Sequence, residues 1–319
     1  MNDIWNAINE KAACKQPFLF VIDFECTRAI IEDLPVNAQN ILIDFPYYRN
    51  VTYPKFHLPF TFLKKAIAFE DYQRQFAKVM EHLTRGDSFL LNLTAITPIE
   101  TSLGLKMLFF EAKAPYRLYV PGRFTVFSPE TFVRITGNTI SSYPMKGTID
   151  AALLDAEVQL LNNIKEIDEH NTIIDLIRND LNRVATHVRL TRYRYIERIE
   201  TNHKTLLQVS SEIQGTLPED WHRQLGTILE KLLPAGSISG APKPKTLEII
   251  KAVETSPRGY YTGVMGIFDG SSLDSSVMIR FVEQTDEGLV YHSGGGITVN
   301  SNVREEYQEL IDKVYVPTV

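Results

Sequence analysis

Strand-like segments in this chain do not alternate regularly with helices, and that order restricts its possible folds more than any other feature of the sequence. Phe18-Leu-Phe-Val-Ile-Asp and Ile41-Leu-Ile-Asp-Phe are apolar runs of strand length. Pro46, Pro54 and Pro59 then interrupt the chain. Helical spacing of Phe76, Val79, Met80 and Leu83 predicts a helix over 70–85, stopped by Gly86. Strands are expected at 88–93, 117–120, 125–127, 132–135, 188–190, 205–212, 263–269, 275–282 and 289–293, and helices at 221–233 and 244–254. Two further helices stand out. One is expected over 155–183, with Leu161, Ile164, Ile167, Ile174, Ile177 and Leu181 near one face. The other follows Ser301 or Asn302, both good N-caps, and runs to about 314. A parallel doubly wound sheet needs regular β-α-β units, so the expected class is α+β with antiparallel sheets. The expected layout is a short, strand-rich N-terminal part (1–60) packed on a core spanning 61–319.

Composition excludes several function classes. With 44% hydrophobic residues the chain can build a large core, and a formal charge of −6 leaves no basic stripe for nucleic acid or an anionic membrane. Cys14 and Cys26 are the only cysteines, too few for a disulfide framework or a Cys-rich zinc site. The first residues lack a basic stretch leading into an apolar run, and no apolar segment is long enough to span a bilayer, so cytoplasm is expected.

Two acidic pairs carry the chemistry. Glu166 and Glu169 lie three apart on the first long helix, so both carboxylates can address one point. Glu306 and Glu309 repeat the device on the last helix, followed by Lys313 on the same face. Either pair alone reads as an ordinary solvated helix face. Together they suggest a hard cation held by oxygen, which fits magnesium better than zinc. Gly236-Ser-Ile-Ser-Gly-Ala-Pro-Lys precedes a helix and suits an anion, although it is not a Walker loop. Ser293-Gly-Gly-Gly-Ile is a second tight element. Arg280, expected inside an apolar strand, needs a partner such as a substrate carboxylate.

These segments, with Gly86-Asp-Ser-Phe-Leu-Leu-Asn-Leu, Ser128-Pro-Glu, Pro144-Met-Lys-Gly-Thr, Asp168-Glu-His-Asn-Thr-Ile-Ile-Asp-Leu-Ile-Arg-Asn-Asp-Leu, Tyr261-Thr-Gly, Ile279-Arg and Glu306-Tyr-Gln-Glu, resemble the chorismate-utilising enzymes. That family includes anthranilate, aminodeoxychorismate, isochorismate and salicylate synthases. The resemblance covers most of 70–316 and implies two stacked antiparallel sheets flanked by helices, with the site in a cleft between them. It implies that Glu169 and Glu309 hold Mg²⁺ against the ring carboxylate of chorismate, supported by Glu166 and Glu306. It further implies that Tyr261 and Arg280 grip the enolpyruvyl carboxylate. Lys313, Thr148 and the loop residues Ser239, Gly240, Gly295 and Gly296 would complete the anion cradle.

Within the family, lysine between Pro-Met and Gly-Thr resembles the aminodeoxychorismate synthases, where most other branches carry alanine. Beside a bound cation in a closed site, Lys146 is then expected to be a desolvated amine, shifted toward its neutral form, that attacks C2 of the ring as the C4 hydroxyl leaves. Ammonia adds at C4 and expels the lysine. Glu130 matches the family's acid, which protonates the departing hydroxyl. Ammonia is expected from a glutamine amidotransferase subunit, since neither cysteine sits in a glutaminase elbow, and a separate lyase is expected downstream. Leu90 stands where water-adding relatives carry a lysine base. Leu207-Gln-Val-Ser stands where anthranilate synthases carry His-Leu-Val-Ser, whose histidine serves pyruvate loss. The alternatives are anthranilate synthase component I, an isochorismate-type enzyme, and a catalytically silent chorismate-binding regulatory subunit.

Overall fold

The structure, a computed structural model, describes residues 3–54, 59–200 and 205–318, with the backbone alone of Thr148, Lys165, Ile199 and Glu200. Its strands form two antiparallel sheets. Across the first, neighbours run Met145–Asp150, Thr205–Thr216, Thr139–Ser142, Thr131–Thr136, Leu273–Val277, Val264–Phe268, Phe18–Ile22 and Ala29–Asp33, with Thr186–Glu200 paired to Thr205–Thr216. Across the second they run Gly240–Ala241, Leu90–Thr101, Gly288–Ile297, Phe281–Thr285, Phe124–Ser128, Tyr116–Val120, Leu42–Phe45 and Tyr48–Arg49, with Phe62–Lys64 paired to Leu90–Thr101. The α+β architecture of stacked antiparallel sheets agrees with the expectation from sequence. Among the described residues, no helix is long and apolar enough to cross a membrane.

Strand alternation explains how the sheets stack. In the fully buried strand Phe18–Ile22, Leu19 and Val21 meet Ile43, Phe45, Tyr116, Leu118 and Phe124 of the second sheet. Phe18, Phe20 and Ile22 point the other way, into a cluster with Trp5, Ile8, Leu225 and Leu229. The residues before 54 therefore enter both sheets, Phe18–Ile22 beside Val264–Phe268 and Leu42–Phe45 beside Tyr116–Val120. The expected domain boundary near 60 follows residues 55–58, which lie outside the described ones.

Three local expectations are corrected. The N-terminal part opens with a helix, Asp3–Ala13, whose Trp5, Ile8 and Ala12 are buried at helical spacing. The helix expected over 155–183 is two helices, Ala156–Asn162 and Ile164–Asn182. Asn163 leaves helical geometry and its side chain accepts from the Glu166 amide, so a new N-cap starts the second helix. The strand expected over 275–282 is also two, Leu273–Val277 in the first sheet and Phe281–Thr285 in the second. Arg280 lies in the crossover between them with φ 54°, not in a strand.

Candidate active site

A second crossover runs beside that one. Phe124–Ser128 ends in the second sheet, Thr131–Thr136 begins in the first, and Pro129-Glu130 joins them. The crossovers hold each other: the Phe127 amide donates to the Arg280 carbonyl (3.1 Å), and the Val277 amide to the Glu130 carbonyl (3.1 Å). Thus an acid and a cation far apart in sequence are delivered together to the wall of a cavity of about 550 Å³ between the sheets.

That cavity gathers most of the residues expected from sequence: Lys146, Glu130, Tyr261, Arg280, Gly240, Gly296, Lys313 and the glutamates 166, 169, 306 and 309 line it. Gly295 lies beside them. A side chain there would begin 3.6 Å from Glu306 Oε2, 3.7 Å from Glu309 Oε1 and 3.8 Å from Lys313 Nζ. Thr148 lies on the same strand as Lys146, but its side chain is outside those described. Ser239 is a correction. The loop 236–239 forms a single helical turn that buries Ser239, whose hydroxyl donates to the Ala235 carbonyl (2.9 Å), while Ser237 and Ile238 line the wall instead.

Lys146 is presented by an irregularity. Register shifts between Lys146 and Thr148 as Gly147 adopts φ 76°. A Cβ at 147 would meet Leu160 at 3.1 Å and Glu166 Oε2 at 3.3 Å, so glycine lets the acidic helix close on this strand. Lys146 Nζ then lies 2.5 Å from Glu169 Oε2. Burial pulls the Lys146 pKa down and is the largest single influence, but Glu169, Glu166 and Glu309 together outweigh it, so the net direction is upward. The free amine is expected beside a bound cation; among bare carboxylates, Lys146 is held toward its charged form.

Opposite it, Lys313 Nζ pairs with Glu309 Oε1 (2.6 Å) and donates to the Gly294 carbonyl (3.0 Å). Glu306 is buried and accepts from Ser301 Oγ (2.8 Å). Glu166 Oε2 is buried without a hydrogen-bond partner. Among the described residues, no three His, Cys, Asp or Glu side chains already stand at metal-holding distances. Yet an orphaned carboxylate oxygen, beside two more carboxylates that each hold a lysine, is a donor set suited to a hard cation. Glu130 Oε1 accepts from Ser237 Oγ (2.6 Å). Burial raises the Glu130 pKa above the usual carboxylate range, against smaller opposing effects of Ser237, Arg280 and Lys313.

Several lining residues escaped the sequence reading: Asn92, Gln208, Thr262 and Tyr315. Gln208 matters most. It faces the cavity, whereas Leu207 points to the other side of its strand, packed with Ala156, Leu160 and Val209. Strand parity would have separated the two, had the register been known. Arg280 lies over the Tyr315 ring at 5.1 Å, and the Tyr261 and His292 rings meet tilted at 5.0 Å.

Known proteins resemble this chain in sequence and in fold. The pattern of the chorismate binding enzyme family runs through residues 33–318. A PabA-like protein of Haemophilus influenzae, itself uncharacterized, is 52% identical over 304 residues, covering 95% of this chain and 93% of its own length. Anthranilate synthase component 1 of Aeropyrum pernix is 30% identical over 76% of this chain and 58% of its own. Aminodeoxychorismate synthase component 1 of Escherichia coli is 31% identical over 77% of this chain and 56% of its own. The chain thus spans little more than half of either synthase. The menaquinone-specific isochorismate synthase of E. coli shares the fold at a TM-score of 0.70 and 14% identity, over 95% of this chain and 78% of its own.

Proposed function

This chain belongs to the chorismate binding enzyme family, and we propose that within it the chain is an aminating subunit, converting chorismate and ammonia to 4-amino-4-deoxychorismate and water. The observation that carries this reading is Lys146 in the cavity wall, paired with Glu169 and sharing the cavity with Glu130. Glu166, Glu169, Glu306 and Glu309 would hold Mg²⁺, which when bound neutralises these carboxylates and grips the ring carboxylate of the substrate. With Glu169 so engaged, desolvation becomes the deciding influence on Lys146 and favours the free amine. That amine attacks C2, both ring double bonds shift by one position, and the C4 oxygen leaves as water with the proton of Glu130. Ammonia then bonds to C4, both double bonds return, the C2–lysine bond breaks, and the proton released by the new C4 ammonium returns to Glu130. Tyr261 and Arg280 orient the enolpyruvyl carboxylate, and Leu90 keeps the adjacent wall apolar. A glutamine amidotransferase supplies ammonia, and a separate lyase takes the product to 4-aminobenzoate.

One observation favours a second reading, anthranilate synthase. Its Aeropyrum representative is as similar as the aminating one, and Leu207, which argued against pyruvate loss, lies outside the cavity wall. The products decide. Incubated with chorismate, Mg²⁺ and ammonium, the protein should yield aminodeoxychorismate by mass-resolved chromatography. Lys146→Ala should lower the rate by about 10³-fold or more. Anthranilate with pyruvate would replace this reading by the second. Chorismate binding without turnover, even with an amidotransferase present, would leave a silent subunit.

A further inference from the structure

Behind the active cavity lies a smaller one of about 90 Å³, lined by Gln75, Thr94, Ile96, Glu254, Arg258 and His292. The two share one face of a strand. Asn92 lines the large cavity and Thr94 and Ile96 the small one, on alternate positions opposite Gly296, Gly294 and His292. Adjacent same-face positions are about 6.6 Å apart, so the cavities are neighbours.

The partition between them is rigid and electrically balanced. Arg258 Nη2 donates to the Asn92 carbonyl (2.6 Å) and Glu254 Oε1 (2.7 Å), Nη1 to the Ile238 carbonyl (2.7 Å), and Nε to Glu254 Oε2 (2.9 Å). Glu254 Oε1 also accepts from the Thr94 amide (2.9 Å) and hydroxyl (2.8 Å). On the other flank His292 packs against Tyr261 with its ring tilted and bonds Glu283 through Nε2 (2.8 Å). With its arginine and glutamate mutually satisfied, this wall offers no unpaired charge to an ion.

What it offers instead is acceptors. Gln75 is 9% exposed, and its Oε1 is buried with no hydrogen-bond partner at the small cavity. Asn92 Oδ1, on the active-cavity side, is likewise buried and unpartnered. A buried acceptor left unpaired loses its hydration with nothing in return, so a hydrogen-bond donor belongs there. At roughly 10–15 Å³ per water-sized molecule the space admits several such molecules but no chorismate ring.

We propose that this small cavity is a binding site for ammonia, a neutral molecule with three N–H donors, held by Gln75 Oε1 beside the active cavity. The inference rests on the amination reading, so its test needs one readout that does not depend on turnover. Gln75→Leu removes the acceptor at nearly constant volume, and Gln75→Met serves if that variant does not fold. With saturating chorismate, the variant should raise KM for ammonium about five-fold, with kcat and the chorismate KM within about two-fold of the parent. Separately, at pH 8.5 ammonium chloride should raise the parent's thermal midpoint beyond potassium chloride at equal ionic strength, and this excess should vanish in the variant. Unchanged ammonium kinetics in a folded variant, with no ammonium-specific midpoint shift in the parent, means the cavity holds water only. That overturns the site and leaves amination standing. An ammonium-specific shift lost in the variant, in a protein that never aminates chorismate, upholds the site and overturns the reading of function.

Discussion

The two ends of the sheet sandwich draw on different strands of the same two sheets and have opposite interiors. At one end Phe124 is stacked between Tyr260 (5.1 Å) and Phe281 (4.9 Å), above Leu19, Val21, Met265 and Ile267. At the other lie the four glutamates, Lys146, Lys313, Arg280 and Glu130. The change takes one residue: Phe281 is core and Arg280 lines the cavity, while Tyr261 belongs to both. It coincides with the crossovers, where the chain leaves one sheet for the other and backbone geometry turns unusual, φ 60° at Thr262 and 54° at Arg280. A sandwich filled by strand alternation is stable and inert. Function enters where alternation is broken.

The largest effect should come from the packed end. Phe124→Ala removes a ring that is 1% exposed, and it should cost about 3–5 kcal/mol in denaturant unfolding. In the fraction that stays folded, chorismate KM should hardly move. A large KM change at full stability would mean that the two ends are not separable.

The same contrast governs what was legible in the sequence. The acidic helices could be read because i, i+3 spacing fixes a shared face whatever the tertiary setting. Lys146 and Glu130 were read through resemblance to a family, since nothing in their spacing predicts convergence. The crossover at Arg280 was not legible, because 275–282 has the composition of one unbroken strand and only the competition of two sheets divides it. Nor was the turn that hides Ser239, or the parity that points Gln208 inward and Leu207 outward. Local pattern reports faces, and register decides which cavity a face meets.

A second, smaller effect tests the polar end. With magnesium at about 100 times its dissociation constant, a bound cation should stabilise the fold by about 2.7 kcal/mol over sodium at equal ionic strength. Glu166→Gln keeps the shape but removes the charge of the carboxylate whose Oε2 has no partner. It should reduce that gain by about 1 kcal/mol or more, while leaving the metal-free protein as stable or slightly more so. Calorimetric midpoints with and without magnesium give both numbers. An equal gain in both proteins would remove Glu166 from the cation site, and no gain in either would remove the site.

The smallest effect separates the ends most finely, because stability and function should move in opposite directions at one residue. Arg280 holds φ 54°, where a non-glycine residue costs about 1 kcal/mol or more. Its neighbours make this conformation obligatory: Val277 ends a strand of one sheet, Phe281 begins a strand of the other, and the Arg280 carbonyl accepts from Phe127. Arg280→Gly relieves the strain and keeps that carbonyl, but removes the guanidinium and its stacking on Tyr315. Folding stability should then stay level or rise by up to about 1 kcal/mol, while chorismate KM rises about ten-fold or more through loss of a carboxylate partner. Denaturant midpoints and steady-state kinetics on the same preparation suffice. If stability falls with affinity, Arg280 is a structural brace between the sheets, and the division between an inert packed end and a strained working end does not pass through this residue.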